Sequence, residues 1–285
     1  MGSPFHEGEL AVQKRAGVAV EAARLGRSIF DMIPRPAQRF LLERRFAVLG
    51  AADEEGRVWA SLLAGPPGFL QTVDERTVRI NTALPTEDPL ANALHDAAPV
   101  GLVAIHFATR RRMRLNGEAH RTADGAIELH ARECFGNCPR FIRPRREEEV
   151  ATKTDSSVAH GTALNAEQQR WIAAADTFFV ASRHPEAGVD ASHRGGDPGF
   201  VQVLDERTLR WPDYPGNNMF QTLGNMAIDP AAGLLFLDFE TGSTLQLSGR
   251  ARTLWEPGRS VEFRVEQVVE GRGAVPLRWK LEMNL

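Results

Sequence analysis

The passage PGFLQTVDERTVRI (Pro67–Ile80) recurs as PGFVQVLDERTLRW (Pro198–Trp211), with nine of fourteen residues in the same places. The likeness continues outward in order. RVWASLLAGPPGF (Arg57–Phe69) aligns with GVDASHRGGDPGF (Gly188–Phe200) at the same offset of 131 residues. Downstream, GLVAIHFATRRRMRLNGEA from Gly101 meets GLLFLDFETGSTLQLSGRA from Gly233 one residue out of that register. Upstream, FAVLGA from Phe46 is matched with FFVASR from Phe178, also after a one-residue slip. Single-residue slips fit turns, which tolerate insertion. The chain is therefore read as a tandem duplication of a unit of roughly 110–130 residues, so whatever fold one copy takes the other must take too.

Each copy reads as mainly β. Phe46–Ala51 and Phe178–Ser182 are short apolar runs ended by turn-rich ADEEG and RHPEAG. The repeated DERT suits a polar hairpin connection, because Asp and Thr bond nearby backbone. Gly101–Phe107 and Gly233–Phe239 are almost wholly apolar and predict central strands buried on both faces. RRRMRLNG and GSTLQLSG alternate and end in Gly, as a barrel strand closing on a bend does. Many short antiparallel strands with one brief helix per unit predict a small barrel.

The flanks predict helices. Gly8 to Phe30 has helical composition, and Asn165 with Gln168 forms a capping-box arrangement before AEQQRWIAAAD. RPRREEEVATKTDSSVAHGTA is charged, then small and polar, and reads as a linker. The expected organisation is a helical segment over residues 1–40, a first unit over 41–145, a linker over 146–164 and a second unit over 165–285.

Composition narrows the function classes. A formal charge of −3 gives no general affinity for nucleic acid or anionic membrane. No apolar run reaches the roughly 18 residues of a membrane helix. MGSPFHEGEL lacks the apolar segment of a secretion signal, and His6 stands where a myristoylation motif wants Ser or Thr. Two cysteines, Cys134 and Cys138, support neither a disulfide framework nor a closed zinc site, so a reducing cytoplasm is expected. His6 near two carboxylates lacks further His or Cys ligands, and no metal is expected. No GxGxxG follows a strand, and nothing orders His106, His193 and Asp238 around a nucleophile.

The series FAVLGAAD, GRVWASLL, an apolar strand, then an RxVxLxG-like strand resembles the pyridoxamine 5′-phosphate oxidase-like FMN-binding split barrels. Asp190–Phe239, with its PGN turn between strand and helix, resembles them most closely. The resemblance implies two fused six-stranded antiparallel Greek-key split β-barrels with flanking helices. It also implies FMN in the crevice between barrels that are usually supplied by two subunits. Here one chain would supply both as a pseudo-dimer, with further homodimerisation open.

FMN needs a phosphate cradle and a flat apolar slot. RWPDYPGNNMFQT offers Trp211, Pro212 and Tyr214 as flat surface. It then offers Gly216, Asn217 and Asn218 as a turn with exposed amides before a helix expected at Met219–Met226, with Thr222 as a nearby hydroxyl. Asn217 and Asn218 are neutral, whereas these oxidases usually carry Arg or Lys there, and a phosphate favours a cationic partner. TRRRMRLNG is the obvious supply, since alternation puts Arg110, Arg112 and Arg114 on one face while the matching TGSTLQLSG has no charge. By alignment with the family, Arg112 falls at a polar FMN contact, and Ser192, His193 and Arg194 fall on a flavin-contacting strand. Asn137, Cys138, Pro139 and Arg140 resemble an NCPK segment on a helix reaching the neighbouring barrel's flavin. Cys138 itself has no adjacent base to make it a nucleophile. The expected function is an FMN-dependent oxidoreductase acting on a small molecule, with no general base assigned. The alternatives are a flavin binder or redox sensor without turnover, and a haem-handling barrel using His106 or His193.

Overall fold

The computed structural model describes residues 3–150 and 157–282. Three helices come first, α1 (Glu7–Arg15), α2 (Ala19–Gly26) and α3 (Arg35–Leu42). The first sheet follows with β1 (Phe46–Ala52), β2 (Val58–Ala64), β3 (Leu70–Thr72), β4 (Thr77–Ile80), β5 (Ala98–His106), β6 (Arg111–Arg121) and β7 (Ile127–Gly136). Next are β8 (Arg145–Glu149), β9 (Ser157–Gly161) and α4 (Ala166–Ala174). The second sheet is built from β10 (Thr177–His184), β11 (Gly188–Gly195), β12 (Gln202–Asp205), β13 (Thr208–Pro212), β14 (Ala231–Leu237), β15 (Thr244–Leu254) and β16 (Ser260–Arg272). Helix α5 (Gln221–Ile228) precedes β14, and β17 (Leu277–Leu281) ends the described chain.

The two sheets have the same strand order. One runs β2-β1-β5-β6-β7-β4-β3 and the other β11-β10-β14-β15-β16-β13-β12, all antiparallel. Each path has seven strands rather than six, because short β3 and β12 open the hairpins that carry DERT. Those turns form as their side chains require: Asp74 Oδ1 accepts from the amides of Arg76 and Thr77, and Asp205 Oδ1 from that of Arg207. The bulge at Asn116/Gly117 recurs at Ser248/Gly249, the same place in the second copy.

Strand register corrects the upstream slip. Leu49 stands opposite Ser61 and Val180 opposite Ser192, so the offset of 131 runs through both hairpins. Ala47, not Phe46, is then the counterpart of Phe178. Ala47 and Phe178 each face their own barrel's core, whereas Phe46 and Phe179 face the other unit. Side chains alternate along a strand, so a slip of one would have exchanged those faces.

The units share a third core, in which Phe46, Val48, Val103 and Phe107 meet Phe179, Ala181, Leu235 and Leu237. Glycine lets the backbones approach. A Cβ on Gly101 would stand 2.5 Å from the Ala191 nitrogen, and one on its counterpart Gly233 would stand 2.6 Å from Trp59 Cα. Gly50 meets Ala181, which is its own counterpart, as expected on a two-fold axis.

Helix α4 opens with the expected box: Asn165 accepts from the amides of Glu167 and Gln168, and Gln168 returns the bond, a cap worth ~1 kcal/mol. The stretch expected as a linker contains structure on either side of residues 151–156, which lie outside the described residues. β8 pairs β17, and β9 pairs β16. One brief helix was expected in each unit, yet the segment between β4 and β5 holds only turns where the second copy has α5. Pro85 and Pro89 interrupt it, removing helical amides. No helix among the described residues is long and apolar enough to cross a membrane.

Candidate functional site

A cleft lies where β6 and the segment after β7 meet β11, the end of β13 and the start of α5. Counting the part open to solvent, its empty space comes to about 800 Å³. Arg112, Asn137, Cys138 and Arg140 reach it from the first unit; Ser192, His193, Arg194, Pro212, Tyr214, Gly216, Asn217, Asn218 and Thr222 reach it from the second.

Two expected residues lie elsewhere. Trp211 is buried in the second barrel with its ring edge-on to Phe178 at 5.1 Å. Alternation along β13 turns Leu209 and Trp211 inward and leaves Pro212 facing the cleft. Arg110 sits exposed in the turn before β6, at φ 53°, and does not share the face of Arg112 and Arg114. Two local expectations also change. The helix begins at Gln221, after Phe220 in left-handed conformation, and Asn137–Arg140 forms a loop rather than a helix.

The cleft wall is cationic. Arg112, Arg114 and Arg194 are all withdrawn from solvent, and burial is the main cause lowering each pKa, to about 10 for Arg112 and about 9 for Arg114. The charge of Arg194 pushes both of those further down. Arg114 is paired with buried Asp190, and Asp213 is paired with Arg259 at 2.6 Å. Arg112 has only neutral partners: its Nη1 donates to His193 Nδ1 at 2.8 Å and its Nη2 to the Cys138 carbonyl at 2.8 Å. Arg194 donates to Ser192 Oγ at 2.7 Å. Among the described residues neither Arg112 nor Arg194, both half-buried, makes a salt bridge, although the charge of Asp213 in the same cleft favours the charged form of Arg194; cations so placed gain from an added anion.

His193 is fixed as a neutral ring. Arginine can only donate, so Nδ1 accepts and the hydrogen is on Nε2. Burial, then Arg112 and Arg194, hold its pKa well below the ordinary value. Its Nε2 is buried without a hydrogen-bond partner, beside the rings of Phe107 and Phe179. His106 bonds Thr109 and does not line the cleft.

The loops over the cleft are held across the units. Asn217 Nδ2 donates to Asn137 Oδ1 at 2.6 Å, and the Phe141 and Tyr214 rings stack at 4.7 Å. Thr222 commits its hydroxyl to Asp190 at 3.2 Å. Gly195 lets the loop pass, since a Cβ there would strike the Phe141 carbonyl. Phe141, Asn218 and Phe220 all have φ near +60°, a strain of roughly 1–3 kcal/mol each that such sites concentrate.

Arg114, Phe141, Phe220 and Gln221 line the cleft too and were not singled out as contacts from sequence. The alternation that located Arg112 places Arg114 beside it; nothing comparable marks the aromatics. In a separate cluster of His6, Glu7 and His184, neither imidazole presents a free lone pair. Each imidazole Nδ1 accepts backbone amides, from Gly8 for His6 and from Glu186 and Ala187 for His184. The Nε2 atoms are left to bond Asn225 and Glu7, tying α1 down.

Solved structures are similar to part of the chain. A HupZ variant from Group A Streptococcus is 14% identical, with 38% of this chain and 98% of that one covered and a TM-score of 0.31. An FMN-binding protein from Syntrophomonas wolfei is 9% identical over 41% and 87%, at 0.28. A FAD-binding protein from Mycobacterium smegmatis is 15% identical over 39% and 99%, at 0.27. No curated protein matches. The model of the family described as pyridoxamine 5′-phosphate oxidase matches twice, over residues 33–154 and 164–277. Matched once around each sheet and over well more than half its length, the chain belongs to the pyridoxamine 5′-phosphate oxidase family, in tandem-duplicated form.

Proposed function

We propose that the chain is an FMN-binding flavoprotein and an oxidoreductase acting on a small molecule, with one flavin site in the cleft between its two units. The observation carrying this reading is the pair of half-buried guanidinium groups of Arg112 and Arg194 in the cleft wall, bonded only to the neutral groups of His193, Cys138 and Ser192. A phosphate monoester has a charge of about −1.5 to −2 at neutral pH, which complements that pair. The start of α5 faces the same space through Gln221, Thr222 and Leu223 and adds its positive end. Phe141, Tyr214 and Pro212 supply flat apolar surface near the mouth. The proposed contacts are those named from the sequence, less Trp211 and Arg110, with Arg114 and Phe141 added. A bound flavin would supply hydride and electron transfer. The chain's own part is to bind the phosphate, orient the ring and limit water. The haem reading is weaker, because His193 Nε2 is buried and His106 is outside the cleft.

The test is reconstitution with FMN followed by anaerobic addition of NADH or NADPH, read on flavin absorption. Bleaching supports the oxidoreductase reading. A yellow protein inert to every donor supports a binder without turnover. Failure to take up FMN contradicts the reading.

A further inference from the structure

Two-fold pseudosymmetry creates a second crevice, and its residues are the counterparts of those in the cleft. Thr244 and Gln246 of β15 replace Arg112 and Arg114, and Leu62 of β2 replaces His193; all three line a cavity with Val269, Val275 and Asp88. The cross-unit pair Arg112–His193 is thus represented there by Thr244 and Leu62, neither of which carries charge. Among the described residues Arg272 is the one arginine lining it, and that side chain is engaged by Glu270 at 2.8 Å and Glu167 at 3.3 Å.

Asp88 is the hydrogen-bonded acid lining this crevice. It comes from the proline-interrupted segment that stands in place of α5. Its Oδ1 accepts from Ser61 Oγ at 2.6 Å and from the Leu90 amide at 2.8 Å; its Oδ2 accepts from Gln246 Nε2 at 3.2 Å. Ser61 and Gln246 are the counterparts of Ser192 and Arg114. The second crevice therefore has a resident carboxylate, and Glu87 adds a second acid.

We infer that the chain binds a single flavin phosphate, because the pseudo-symmetric crevice has Thr244 and Leu62 where the cleft has Arg112 and His193, and an acid, Asp88, from the segment that stands in place of α5. A family dimer of identical units must have two equivalent crevices; duplication freed one of them to become structure. Resting on the proposed flavin site, this sets its stoichiometry at one per chain.

The experiment is equilibrium dialysis of the full chain against FMN, for wild type, Arg112→Thr and Asp88→Asn. One FMN per wild-type chain is expected, with affinity falling ~100-fold in Arg112→Thr as a buried charge partner is lost. Asp88→Asn should keep a capacity of one, since removing the acid supplies no cation and Arg272 stays engaged by Glu270 and Glu167. Two FMN per wild-type chain, or one undiminished site surviving in Arg112→Thr, would overturn the inference while leaving flavin binding intact. No binding by wild type would overturn the flavin reading itself. The wild-type count stands even if a variant fails to fold.

Discussion

Arg112 of the first unit donates to His193 Nδ1 of the second at 2.8 Å, joining the two barrels through a neutral imidazole and an unpaired guanidinium. The bond fixes the cation's position without neutralising it. A carboxylate at position 193 would have satisfied Arg112 internally and left less attraction for an anion. The arrangement makes sense where the missing negative charge arrives with a ligand.

His193 should make the protein sensitive to acid. Its folded pKa is depressed by burial and by Arg112 and Arg194, so below about 6.5 the unfolded chain binds a proton that the folded chain refuses. Stability is then lost as pH falls below about 6.5. Replacing His193 with Phe should flatten that part of a melting-temperature profile between pH 7 and 5. An unchanged slope would place the effect elsewhere.

Glu9 should act in the opposite direction. It is buried in the first turn of α1, with its pKa raised to about 8, chiefly by desolvation and further by Glu133. The folded state holds its proton through pH 4.5 to 8, where the unfolded chain has released it. Its contribution is complete below about 4.5 and is lost as pH rises through about 8. Glu9→Gln keeps an acceptor for the His6 amide and should remove that decline, on the order of a few kcal/mol. Denaturant titrations at pH 6 and 9 measure it.

The two thiols should differ sharply. Cys134 is buried, with its pKa pushed up to about 12 by desolvation, whereas Cys138 is half-buried on the cleft wall. The thiolate is the reactive form, so a maleimide should label Cys138 alone in the folded protein. FMN should slow that labelling if it occupies the cleft. Equal labelling of both thiols, or no protection, would count against the site.

Much of this was legible in the residues. The repeat dictated two sheets of one topology, and the charge difference between RRRMRLNG and GSTLQLSG located Arg112. Trp211 was misplaced because an aromatic next to a PGN turn suggests a ring slot, although alternation with Leu209 points it to the core. Arg110 was grouped with its neighbours on the assumption that the strand starts before Arg111. The Phe141–Tyr214 stack and the Asn137–Asn217 bond join residues 73 and 80 positions apart. Such contacts depend on how two barrels meet, which no local pattern encodes. The role of Asp88 was hidden for the same reason.

The close approach at the two-fold axis gives a test of the pseudo-dimer. Gly101→Val would place its Cβ against Ala191 backbone, which belongs to a paired strand and cannot yield easily. Destabilisation of about 1–3 kcal/mol is expected, with a similar loss for Gly233→Val at the counterpart contact. Thermal melts of the two variants should show comparable shifts. Tolerance of both would mean that the shared core is looser than described.

The most direct measurement compares FMN with riboflavin, which lacks the phosphate, by fluorescence titration of wild type and Arg112→Gln. If Arg112 and Arg194 receive the phosphate, wild type should prefer FMN by ~100-fold or more, about 2.7 kcal/mol, in the range of a buried charge-assisted contact. Most of that preference should vanish in Arg112→Gln while riboflavin affinity barely changes. Equal affinity of wild type for both molecules, or a preference that survives the loss of Arg112, would contradict the assignment.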